Sequence, residues 1–149
     1  MFENMKHKFC FLLIVLLSFD LSLGKVFTRC GFAKELHGHG MTRKEIQSWT
    51  CIAEYMTGFN TSATRGPFED GSKTHGPFLI SDRWWCKEGS KKSENFCNVK
   101  CKALRSRKIS ASVNCARKIY SPKAGYWAWD IWTDNCENKL PNLDSCFPK

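Results

Sequence analysis

Trp49-Thr50-Cys51-Ile52-Ala53-Glu54-Tyr55-Met56-Thr57-Gly58-Phe59-Asn60-Thr61 is the stretch on which the reading of this 149-residue chain turns. With Ile46 before them, Trp49, Ala53 and Met56 recur at helical spacing and predict a helix over residues 46–57. Upstream, Cys30, Ala33 and Leu36 repeat the pattern over residues 29–39, and Gly38 and Gly40 supply the stop between the two helices. Downstream the pattern changes. Gly66-Pro67, Asp70-Gly71 and Gly76-Pro77 break residues 61–82 into pieces too short for helix, which suits a small β-hairpin region. Ser110 is a good N-cap for a third helix to about residue 120, with Val113, Ala116 and Ile119 inward, and a fourth covers residues 127–136. The tail, with Pro141 and Pro148, is mostly irregular. Helices flanking a small sheet make an α+β protein.

Residues 1–24 have the form of a secretory signal. Lys6 and Lys8 give a positive start, residues 9–17 an apolar core, and Ser22-Leu23-Gly24 a small-residue cleavage site. The apolar run is far short of the ~20 residues that span a bilayer, so the expectation is an exported, extracellular protein without a transmembrane segment. Residues 25–149 then form one domain of 125 residues. Of nine cysteines one, Cys10, lies in the signal. The eight that remain predict four disulfides, with 105 connectivities open on spacing alone. Cys97-x3-Cys101 lacks the second close pair or histidine pair that zinc requires, so no metal is expected.

The net charge of +9 is concentrated in residues 87–123, where eleven Lys and Arg face Glu88 and Glu94. Two readings stand: attraction to anionic polymers such as bacterial envelopes, or a solvated surface that keeps an exported protein soluble. No nucleic-acid motif accompanies the charge, and nucleic acid is not an expected partner.

Beyond these patterns, specific motifs carry a resemblance that runs the mature length. Lys25-Val26-Phe27-x-Arg29-Cys30, Asn60-Thr61, Asp70-Gly71-Ser72, Arg83-Trp84-Trp85-Cys86, Cys97-Asn98-x-x-Cys101-x-Ala103-Leu104, Ala111-Ser112-Val113-Asn114-Cys115-Ala116 and Trp129-x-x-Trp132-x-x-x-Cys136 follow in the order in which they occur in C-type lysozymes and the related α-lactalbumins. The resemblance implies a lysozyme-like fold, a helical lobe with a small hairpin lobe. It also implies the pairs Cys30 with Cys146, Cys51 with Cys136, Cys86 with Cys101, and Cys97 with Cys115.

That family is the standard case of two carboxylates in different environments, one kept protonated as general acid and the other ionised as nucleophile or stabiliser. By resemblance the acid belongs at Met56 and the second carboxylate at Thr74. Methionine has no exchangeable proton, and threonine is uncharged near neutrality and a poor nucleophile without an adjacent base. General acid catalysis alone is typically worth ~100 to 10,000-fold, so little muramidase activity is expected. Met56 is pinned by Trp49, Cys51, Phe59 and Asn60-Thr61; Thr74 is framed less tightly, because the loop from Thr61 to Asp70 is one residue longer than usual in the family.

Four residues are candidates to stand in for the missing acid. Glu54 lies about 200° around the helix from Met56, Asp70 matches a turn aspartate, and Glu69 sits beside it. His75 is the nearest base. The resemblance implies Trp84, Trp85, Trp129, Ser81 and Ala128 as glycan-binding residues; tryptophan faces pack on pyranose rings while the indole N–H donates. Leu79 and Ser81 stand where glutamine and asparagine are usual, Pro77 replaces an aliphatic residue, and Pro122 replaces a sugar-contacting aspartate. Residues 106–112 hold no carboxylate for calcium, so no cofactor is expected. His37-x-His39 is expected to be surface, and Asn60-Thr61-Ser62 is a formal glycosylation sequon.

The leading expectation is a non-catalytic, monomeric binder of peptidoglycan or a chitooligosaccharide-like glycan in antibacterial innate defence, aided by charge at anionic bacterial surfaces. Alternatives are a muramidase with a relocated acid at Asp70 or Glu69, a regulatory protein of the α-lactalbumin kind, and membrane disruption by charge.

Overall fold

The computed structural model describes residues 24–121 and 123–148; the signal sequence read at residues 1–24 and the substitution at Pro122 lie outside them, except for Gly24. Helices α1 (Arg29–Gly38) and α2 (Arg43–Thr57) come first. Strands β1 (Thr64–Arg65), β2 (Thr74–His75) and β3 (Ile80–Ser81) follow, then α3 (Cys101–Leu104) and α4 (Ser110–Ile119). The chain closes with a 3-10 turn at Gly125–Ala128, a π turn at Trp132–Cys136 and a 3-10 turn at Asp144–Cys146.

Local chemistry sets these limits. Thr28 caps α1 by accepting from the Gly31 amide, and Thr42 and Glu45 form a reciprocal capping box at the start of α2. Gly58 ends α2 in the left-handed region, φ 58°, where its amide and that of Phe59 take up the carbonyls of Glu54 and Ala53. The expected cap at Ser110 is not used: Ser110 is the first helical residue, and Ile109 precedes it with no side-chain cap.

The predicted fourth helix is broken. Trp129 adopts extended angles, φ −111° and ψ 112°, between the two turns, because its indole is drawn inward. It packs edge-on against Trp49 at 4.9 Å between centroids and donates to the Phe78 carbonyl. Helix α3 was not foreseen; four residues are too few for a periodic signal.

The strands form an antiparallel sheet in the order β1-β2-β3. Phe78, in the turn between β2 and β3, sits fully buried between Phe32 of α1 and Trp49 of α2, and so joins the hairpin to the helical lobe. Gly76 makes the tightest approach. A Cβ there would lie 2.2 Å from the Leu104 carbonyl oxygen, and its φ of 78° is one that favours glycine.

All four disulfides implied by the resemblance are formed, with Cα–Cα distances of 4.9 to 5.8 Å. They close separations of 15 to 116 residues, which in the chain-entropy picture is worth on the order of 3 to 5 kcal/mol each. Among the described residues no helix is long and apolar enough to cross a membrane.

Candidate functional site

Directly opposed residues in an antiparallel pair project to the same face. The register sets Arg65 opposite Thr74 and Thr74 opposite Ser81, so Arg65, Thr74 and Ser81 form one row across the sheet. His75, one residue on from Thr74, belongs to the other face, with Thr64 and Ile80. The exposed Arg65 donates through Nη2 to the Met56 carbonyl at 2.6 Å. The Arg65 row therefore faces the C-terminal turn of α2. Thr57 adds a second tie, its hydroxyl 3.1 Å from the Pro77 carbonyl.

Met56 is half-buried against the core. The Thr74 hydroxyl is buried and has no hydrogen-bond partner among the described residues. The two positions singled out in sequence thus lie on elements that Arg65 links, Met56 at the end of α2 and Thr74 on β2. Neither is an acid.

A family model for the C-type lysozyme/alpha-lactalbumin family matches residues 25–146. The chain belongs to that family. It is 39% identical over 127 residues to lysozyme 1 of Musca domestica, covering 85% of this chain and 89% of the relative. It is 38% identical over 125 residues to a Bombyx mori lysozyme, covering 84% and 89%. A canine milk lysozyme structure superposes with a TM-score of 0.76 at 33% identity, covering 83% of this chain and all of that one.

Within this lysozyme scaffold Glu54 and Asp70 are engaged elsewhere. Glu54 forms an ion pair with Arg29. Asp70 accepts from the Ser72 amide and from Arg83; the hydrogen bonds from Ser72 and then Arg83 hold its carboxyl well below the usual carboxylate range. A group so stabilised as the anion is a turn anchor, the opposite of the raised-pKa acid that glycoside cleavage needs. Glu69 beside it is exposed on the hairpin loop.

His75 is 1% exposed. Its Nε2 lies 3.5 Å from Asp82 Oδ2, and its Nδ1 faces an Arg105 N–H. Burial first, and then the Arg105 charge, pushes its pKa below the ordinary value. It is a neutral structural imidazole facing away from Thr74. Asp82 also accepts from the Lys73 amide and lies 3.5 Å from Lys91 Nζ, while Arg105 pairs with Glu88 at 3.0 Å. The nearby sulfurs of Cys86 and Cys101 are bonded to each other and are not metal-binding thiolates.

Trp84 is 44% exposed, its main chain held by the Phe96 amide and its ring covered on one side by the Arg83 guanidinium at 5.0 Å. It borders a concavity of about 300 Å3 shared with Asp70, Arg83 and Lys91. Trp85 is half-buried, edge-on to Phe96 at 5.6 Å. Trp129 is buried, and its N–H is already given to Phe78 at 2.9 Å, so it has no donor left for a sugar. Ser81 is half-buried and accepts from the Arg83 amide through its hydroxyl; Ala128 is exposed. Asn60, of the sequon, accepts from both the amide and hydroxyl of Ser62, a structural role at the end of α2.

Arg65 was not singled out by sequence reading. It lies on the two-residue strand β1, and only the strand register shows that it opposes Thr74. The Asp82–His75–Arg105–Glu88 chain was missed for a similar reason, since it joins residues up to 30 apart in sequence.

Proposed function

We propose that this protein is an exported, non-catalytic member of the lysozyme family that holds peptidoglycan or a related N-acetylglucosamine polymer, in antibacterial defence. The observation that carries the reading is that methionine and threonine stand at positions 56 and 74, on elements linked by Arg65, with no carboxylate in the Arg65-Thr74-Ser81 row. Hydrolysis in this family's manner needs a protonated acid at one position and an anion at the other. The engagement of Asp70 by Ser72 and Arg83 weighs against a relocated acid. Exposed Trp84 retains a flat apolar face for a pyranose ring.

Export through residues 1–24 fits the four disulfides, which persist in oxidising compartments. The mature chain acts as a monomer, and its basic segment steers it to anionic envelopes.

Titration of chitohexaose into the native protein and into Trp84→Ala tests the reading. Removing the exposed ring should weaken binding by about tenfold, taking aromatic stacking as worth 1 to 2 kcal/mol. Equal, negligible binding by both proteins would sink it.

A further inference from the structure

Resting on the reading that residues 1–24 export the chain, we infer that Asn60 carries an N-linked glycan, and that its side chain is arranged to bear the sugar without loss of structure. Asn60-Thr61-Ser62 is the one Asn-x-Ser/Thr triplet in the 149 residues, and its middle residue is not proline.

The two ends of the Asn60 carboxamide have different surroundings. One end accepts from the Ser62 amide at 3.0 Å and from the Ser62 hydroxyl at 2.8 Å. A main-chain N–H can only donate, so the accepting atom is Oδ1 and the opposite atom is Nδ2. The result is an Asx-turn that also engages the hydroxyl the triplet requires. Among the described residues nothing accepts from Nδ2, and the atom reaches solvent. Joining a sugar to Nδ2 keeps the carboxamide neutral and leaves Oδ1 free to hold the turn. An asparagine whose Nδ2 was given to a core acceptor would lose that bond on modification.

The main chain is held independently of the side chain. The Asn60 amide donates to the Thr57 carbonyl, its own carbonyl accepts from the Ala63 amide, and the residue bridges to Val26. Thr61 is buried, its hydroxyl accepting from the Lys25 main-chain nitrogen at 2.7 Å, whereas Ser62 is exposed. A glycan on Asn60 therefore leaves from a fixed point at the surface, beside Val26, which is 66% exposed and gains cover from it. Asn60 lies outside the Arg65-Thr74-Ser81 row and outside the concavity that Trp84 borders.

The donor is a polyprenyl-diphosphate-linked oligosaccharide. Nδ2 forms a bond to C1 of its first N-acetylglucosamine as the C1–O bond to the diphosphate breaks. The diphosphate leaves with the electron pair, and one Nδ2 proton passes to a base.

The test expresses the full chain in cultured animal cells and analyses protein from the medium by intact mass and peptide mapping, before and after peptide-N-glycosidase digestion. Asn60→Gln, Ser62→Ala and Ser62→Thr are treated in parallel. The native protein and Ser62→Thr should carry a glycan that digestion removes, converting the linked asparagine to aspartate, and the other two variants should carry none. Ser62→Ala retains Asn60, so its loss of sugar ties the modification to the triplet. Near-ultraviolet circular dichroism of the native protein should be the same before and after digestion.

Secreted native protein with an unmodified Asn60, or a glycan that persists in Asn60→Gln, would overturn the inference and leave export standing. A dichroism spectrum that changes on digestion would overturn the claim that the fold bears the sugar without loss of structure. Retention in the cells with residues 1–24 attached would overturn the export reading and the inference with it.

Discussion

The indole Nε1–H of Trp129 donates to the main-chain carbonyl of Phe78 at 2.9 Å, and both residues are buried. This one bond ties the segment after α4 to the turn of the hairpin and contributes to stability. Replacing Trp129 by Phe keeps an aromatic ring but leaves the buried Phe78 carbonyl without this donor and opens a small void. The expected loss is about 2 to 3 kcal/mol, read as a lower urea midpoint with an unchanged m-value.

Gly76 is held by two constraints that can be separated. Gly76→Ala forces an L side chain into φ 78° and places its Cβ 2.2 Å from the Leu104 oxygen; Gly71→Ala meets a similar φ of 74° but nothing within 4 Å. Left-handed strain alone costs about 1 to 2 kcal/mol, so Gly71→Ala should lose about that much. Gly76→Ala should lose at least about 3 kcal/mol, because backbone must also shift. Comparable losses for the two, measured by thermal melts, would mean that the contact between the hairpin and α3 yields easily.

His75 predicts a pH dependence of stability. Its folded-state pKa is depressed from 6.5 by burial and by Arg105, so below about pH 6.5 the unfolded chain binds a proton that the folded protein resists. Stability should therefore fall as pH drops below 6.5, by at most about 1.4 kcal/mol per pH unit from this group. Glu88, whose pKa is lowered by its hydrogen bonds with Arg105, contributes in the same direction but at lower pH, below its ordinary 4.5. Urea midpoints measured from pH 7.5 to 5 should decline for the native protein and flatten in His75→Gln.

Much of the helical lobe was legible in the sequence, because Ile46, Trp49, Ala53 and Met56 lie on one periodic face; the start of α2 was not, since the Thr42–Glu45 capping box begins the helix at Arg43 rather than at the expected residue 46. The disulfide pairing came from resemblance alone; spacing could not select it. The break at Trp129 was hidden, since a tryptophan at helical spacing gives no sign that its N–H will be claimed by a carbonyl 51 residues away. Met56 and Thr74 were found from their frame. Arg65 was not, because strands of two residues carry almost no period-2 signal, and the opposition of Arg65 to Thr74 exists only in the pairing register. The exposed Trp84 and the buried Trp129 likewise looked equivalent until tertiary packing separated them.

The central claim is that the crevice holds glycan without cutting it. Its most direct test incubates the purified mature protein with insoluble peptidoglycan and measures, in the same sample, the protein retained in the pellet and the new reducing ends released. The account predicts retention that is competed by soluble peptidoglycan fragments and reducing ends no higher than in a protein-free control. Time-dependent release of reducing ends that co-purifies with the protein, or no retention at all, would contradict it.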